Sequence, residues 1–175
     1  MRKFCVRKTR RNSEAGLTML EVLFGAVVMN IGFMGLIGLV ATAIASNNRN
    51  KLDSTGTMLT QAVVEQINST IIGTGTATIT DCDGTTWNIA TAVGGAALSG
   101  ANIDFSEAAP PTNYHMEFSV CPVGQANHYD VRWNIQQTTS DVYLITVGAR
   151  LRGQGTTSNK FFALPVTLRT FASPQ

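Results

Sequence analysis

Glu21 is the residue whose type and position most clearly imply chemistry. It opens residues 22–48, a stretch with no ionisable side chain at all. Crossing the hydrocarbon of a bilayer as a helix takes about 20 residues at about 1.5 Å each, so this run reads as a membrane span. A carboxylate inside such a span costs a few kcal/mol or more unless it is paired, neutralised or able to reach the interface. Two outcomes are open from the residues alone. The side chain reaches the headgroups beside the positive end of the helix dipole, or it pairs with a cation brought to it. Bond-making chemistry finds less material. The sequence has no nucleophile elbow, phosphate-binding glycine loop or metalloprotease helix. His115 and His128 have no evident catalytic companions, and the carboxylates are too scattered to nominate an acid/base pair. The reading is therefore of a protein that is not an enzyme, with no catalytic residue and no cofactor.

The elements that position Glu21 begin with a basic leader. Arg2, Lys3, Arg7, Lys8, Arg10 and Arg11 precede the span, opposed by Glu14, while only Arg49 and Lys51 lie close to its other end. Positive charge marks the cytoplasmic side of a span, so the chain beyond residue 48 faces away from the cytoplasm. A secretory signal has a short apolar core followed by its cleavage site. Here the candidate cut, at Gly16, lies before the apolar run, which would stay attached.

The order Gly16, Leu17, then Glu21 at the opening of an unbroken apolar helix closely resembles the amino-terminal signature of type IV pilins and type II secretion pseudopilins. The texture of residues 27–36 and the polar crossing at residues 46–50 are most similar to V-type minor pilins and I-type pseudopilins. The resemblance implies cleavage between Gly16 and Leu17 by a prepilin peptidase, methylation of the Leu17 amine, and loss of residues 1–16. It implies that Glu21 pairs with the freed amine of Leu17 on a neighbouring subunit, setting register as the helices slide past one another. The implied partners are the peptidase, a major pilin and other minor pilins through the helix, the inner-membrane assembly platform, and lipid before assembly. The implied location is the inner membrane with a periplasmic head, then a pilus or pseudopilus. A permanently anchored, unprocessed binding protein for DNA uptake or adhesion is the alternative of a different class. Beyond Gly16 seven bases face ten acids, a net −3 before terminal groups.

Within the span Gly25, Gly32, Gly35 and Gly38 offer close helix approach, although glycine is also simply common in membrane helices. Asn30 is read as bonding locally or to a neighbouring helix. The helix is expected to continue to about residue 73, with Leu52, Leu59, Val63, Ile67 and Ile71 as one apolar stripe and Asp53, Thr57, Gln61, Glu65 and Asn68 opposite. Gly56 weakens its middle. The organisation expected is thus leader 1–16, membrane half 17–46, amphipathic half 47–73 and a β-rich head 74–175. The class is α+β, a long helix packed on a small antiparallel sheet, and by resemblance the pilin fold.

In the head, Tyr129, Val131, Trp133 and Ile135 alternate with Asp130, Arg132, Asn134 and Gln136, the clearest strand pattern in the chain. Residues 114–120, 142–151 and 161–171 are further strands, with a polar turn over 137–141. Pro165 argues for an edge or a bulge in the last of them. Residues 90–111, rich in Ala, Gly and Ser, are expected to form a weakly structured surface insertion. Asp81-Cys82-Asp83-Gly84 opens like a calcium loop but lacks the later ligands, so it reads as a turn.

Loss of Cys5 with the leader would leave Cys82 and Cys121, an even pair suited to a disulfide in an oxidising compartment. A thiolate metal site assisted by His115 and His128 competes with that reading but lacks ligand spacing; no metal residue is nominated. Arg132, Arg150, Arg152, Lys160 and Arg169, with Trp133 as a stacking platform, are the material for nucleic-acid binding. The head as a whole is not basic, which argues against that partner.

Overall fold

A computed structural model describes residues 18–70, 72–121, 127–153 and 164–173. The chain divides into two compact units, Met1–Ala45 and Ser46–Gln175. The described part of the first is Thr18 followed by helix. The helix belongs to α1, Met19–Asn68, whose apolar side chains from Met19 to Ile44 are exposed. This stretch is long and apolar enough to cross a membrane and is compatible with a single-pass anchor.

In the second unit α1 continues and lays one face on an antiparallel sheet. Leu59, Val63 and Ile67 of the expected stripe are buried, Leu52 is half-buried, and Ile71 lies outside the described residues. Gly56, Thr60 and Val64 join the buried face. Gly56 is not merely a weak point: a Cβ there would lie 3.5 Å from Val166 Cγ2 and 3.9 Å from the Tyr129 ring, so the missing side chain sets the spacing of helix and sheet. The helix stops at Asn68, short of Gly73. The Ser69 and Thr70 hydroxyls donate to the Gln66 carbonyl at 2.9 and 3.0 Å, satisfying a terminal acceptor and ending the run.

A hairpin follows, β1 (Thr76–Thr80) and β2 (Thr86–Ala90), turning through Gly84 at φ 84°. The main sheet is built on β7 (Asn127–Thr139). One edge of β7 carries β6 (His115–Val120) and, further along, β3 (Gly94–Gly95); the other carries β8 (Val142–Leu151), which carries β9 (Val166–Ala172). β9 is an edge strand that starts directly after Pro165, as that proline requires. Residues 161–163 of the expected strand lie outside the described residues. The turn between β7 and β8 is tighter than expected, because β7 continues to Thr139 through a register shift.

The inward face of β7 follows the alternation: Tyr129, Val131, Trp133 and Ile135 are almost wholly buried against Val63, Ile67, Met116, Ile145 and Val147. The opposite face does not behave as solvent-facing residues would. Residues 90–111 are no loose insertion; they contain β3 and a small hairpin, β4 (Leu98–Ser99) with β5 (Asn102–Ile103), and they cover the second face of the sheet. Gly148 on β8 admits this cover, since a Cβ there would meet Ile103 at 2.9 Å and Phe105 at 3.1 Å. Gly95 sits at φ 127° with the Trp133 carbonyl where its Cβ would be, a place and a conformation open only to glycine.

Candidate functional site

At the start of α1, Gly16 and Leu17 lie outside the described residues. Thr18 precedes the helix, and its carbonyl accepts from the Glu21 amide at 3.0 Å and from Val22 at 3.3 Å, while its hydroxyl accepts from the Glu21 amide at 3.4 Å. Thr18 and Glu21 therefore have the spacing of a capping box, an N-cap threonine with an acid three residues on. This spacing is visible in the sequence, where Thr18 stands three residues before Glu21. Glu21 lies in the first turn, where the helix dipole favours an acid. Among the described residues no cation pairs with its carboxylate. Gly25, Gly32, Gly35 and Gly38 have open space where a Cβ would be, so the helix surface at each is free for close approach. Asn30 bonds locally, its Nδ2 donating to the Ala26 carbonyl at 2.8 Å.

In the head, Cys82 and Cys121 form a disulfide with Cα atoms 5.9 Å apart, tying the β1–β2 turn to the end of β6. Their sulfurs are bonded to each other and offer no thiolates. His115 and His128 are also kept apart, opposite Arg132 and Ser119 in the β6–β7 register; His115 Nδ1 lies 3.1 Å from the Pro111 carbonyl. The four residues therefore do not converge as metal ligands. Asp81 organises the turn: its carboxylate accepts from the Thr85 and Asp83 amides at 2.8 and 3.1 Å and from the Trp87 indole at 3.2 Å. Burial pushes the Asp81 pKa up, but the hydrogen bonds from Trp87 and the backbone together outweigh it and hold it below the ordinary value.

The candidate nucleic-acid residues separate. Trp133 is fully buried on the core side with its indole donating to the Ala90 carbonyl at 3.0 Å, so it cannot stack a base. Lys160 lies outside the described residues, and Arg169 is exposed on β9. Arg132, read as an outward side chain, is buried with Asp130. The pair is bidentate, Nε to Oδ1 at 2.9 Å and Nη2 to Oδ2 at 3.0 Å, and Nη1 donates to the Glu107 carbonyl at 2.9 Å. Arg150 reaches the same carboxylate from β8 at 3.0 Å. The Phe105 ring lies against both guanidiniums, 5.4 Å from Arg132 and 4.7 Å from Arg150. The cover formed by residues 94–107 is thus latched by a carboxylate shared between two arginines. Simple alternation along β7 gave no sign of it, because a strand covered on both faces can still carry polar side chains if they are paired.

Beyond the cover the same face continues with Glu117 on β6, His128 on β7 and Arg152 just past β8. Glu117 and Arg152 form an ion pair, the Arg152 amide donates to the His128 carbonyl at 2.8 Å, and His128 Nδ1 lies 3.0 Å from the Ser119 hydroxyl. Comparison with protein-family models, with curated proteins and with solved structures returned no match.

Proposed function

We propose that the chain is a minor type IV pilin: a leader-bearing precursor held in the inner membrane with its head in the periplasm, cut after Gly16 and inserted into a pilus, or into the complex that primes one, by its helix. The observation that carries this reading is Glu21 in the capped first turn of a solvent-exposed apolar helix, with no cation for it among the described residues. A carboxylate so placed gains most from a partner arriving with another subunit, and the freed Leu17 amine supplies one. Joining the two charges removes both from an isolated state in hydrocarbon and fixes register. The open glycine surfaces support helix packing without a hydrophobic driving force.

Mass spectrometry of the mature amino terminus tests the proposal. Methylated Leu17 is the expected result; an intact Met1 overturns it in favour of a permanently anchored binding protein. Glu21→Ala should leave membrane insertion intact and remove the subunit from sheared fibres. Equal recovery of mutant and wild type in those fibres would sink the role given to Glu21.

A further inference from the structure

Glu117, His128, Arg152 and Gly153 line a surface cavity of about 240 Å³, outside the latch formed by Asp130. The volume lies below the roughly 300–1,000 Å³ of sites for drug-sized ligands, which limits an occupant to a fragment of about monosaccharide size. Net charge does not select the occupant, because Arg132, Arg150 and Arg152 on this face are offset by Asp130 and Glu117 and, in the cover, by Asp104 and Glu107; what distinguishes the arginines is how far each is engaged. Arg132 and Arg150 share the buried Asp130, whereas Arg152 is more than half exposed and its partner Glu117 is about half exposed as well. His128 is held at its Nδ1 edge by Ser119, a buried hydroxyl. His128 and Arg152 line the same cavity, and in the tautomer that accepts from Ser119 at Nδ1 the imidazole carries its proton on Nε2 and adds a second donor to the site.

The geometry points to a binding site for a small organic carboxylate, held by the Arg152 guanidinium and the His128 ring, with Glu117 as a built-in competitor for the same arginine. A guanidinium takes a carboxylate through two parallel N–H···O bonds, and a ligand of this size at an open site binds at about millimolar strength. Glu117 holds the fork in place when the site is empty and lowers affinity by the same contact. The inference does not depend on entry into a fibre.

The test is a titration of the full chain in detergent micelles with D-glucuronate, following the His128 ring protons by NMR. Wild type should give a saturable shift, Arg152→Gln should weaken binding about tenfold or more, and Glu117→Gln should tighten it several-fold. The tightening guards against misreading, because a misfolded variant loses binding and does not gain it. Absence of a saturable shift, equal affinity in Arg152→Gln, or no gain in Glu117→Gln overturns the site. Glucose or inorganic phosphate binding as tightly as glucuronate overturns its assignment to carboxylates.

Discussion

Asp130 shows how much one side chain governs when two charged groups depend on it. It accepts from Arg132 through both oxygens and from Arg150 through one, and it is buried with Arg132 beneath residues 94–107. Removing one member of a buried pair strands the other, which costs about 3–5 kcal/mol, whereas replacing both with apolar residues of similar volume costs far less. Asp130→Ala should therefore lower the midpoint of thermal unfolding sharply, and Asp130→Leu with Arg132→Met should lower it less than the single change; the reverse order would contradict the latch. Asp81 makes a prediction that depends on pH. Its folded pKa lies below the unfolded value, so the unfolded chain binds more protons between the two. The stability it contributes is fully present above the unfolded value of about 3.9 and is lost as pH falls through the folded one. Asp81→Asn should thus cost more at neutral pH than at about pH 2. Thermal melts at both pH values check this, and an equal cost at both would contradict it.

At the scale of elements, the parts legible in the sequence were those where one physical signal acted alone. The apolar run of α1, the inward residues of β7 and strand β8 follow from hydropathy and alternation, and the structure places them so. The missed parts are those where a residue's role is set by something distant in the chain. Gly148 and Gly95 look like two more glycines until residues 103–105 and the Trp133 carbonyl are brought against them. Asp130 and Arg132 look solvent-facing until residues 94–107 fold over them. At the helix start, Glu21 is legible as a charge in an apolar context, while the capping role of Thr18 depends on where the helix begins, which the unbroken apolar pattern does not mark. The disulfide followed from counting cysteines, and its mechanical role follows from what it joins. It ties a two-stranded hairpin, a unit marginal by itself, to the edge of the main sheet. Replacing Cys82 and Cys121 by serine should cost about 2–4 kcal/mol in denaturant unfolding, with amide exchange rising most in β1 and β2. Uniform loss of protection across the sheet would show that the bond acts on the whole head instead.

At the scale of the molecule, the two units differ in what their apolar residues touch. Those of residues 19–44 are exposed, while those from Leu59 onward meet a continuous core with β6, β7 and β8. All the described side chains that build this core lie beyond Ser46, as do the disulfide and the Asp130 latch. Among the described residues, none before Ser46 belongs to the buried core of the second unit, and the apolar helix of the first is what water rejects. A chain beginning at Ser46 should therefore be soluble without detergent, form the Cys82–Cys121 bond under oxidising conditions and unfold in a single cooperative transition. Circular dichroism, a non-reducing thiol assay and a melt check each point. The Arg49–Asp53 contact, an exposed i,i+4 pair worth at most a few tenths of a kcal/mol, is too weak to matter to this outcome. Tyr129 gives the sharper internal readout, since its hydroxyl donates to the Leu52 carbonyl at 3.2 Å, near the start of the shortened helix. Fraying of that first stretch would release the hydroxyl and leave the core below Leu59 in place. Tyr129 fluorescence or ring NMR signals unlike those of the full chain, with the melt unchanged, would therefore locate the damage at the helix end. Aggregation or a lost transition would show instead that residues before Ser46 are needed to hold the sheet together.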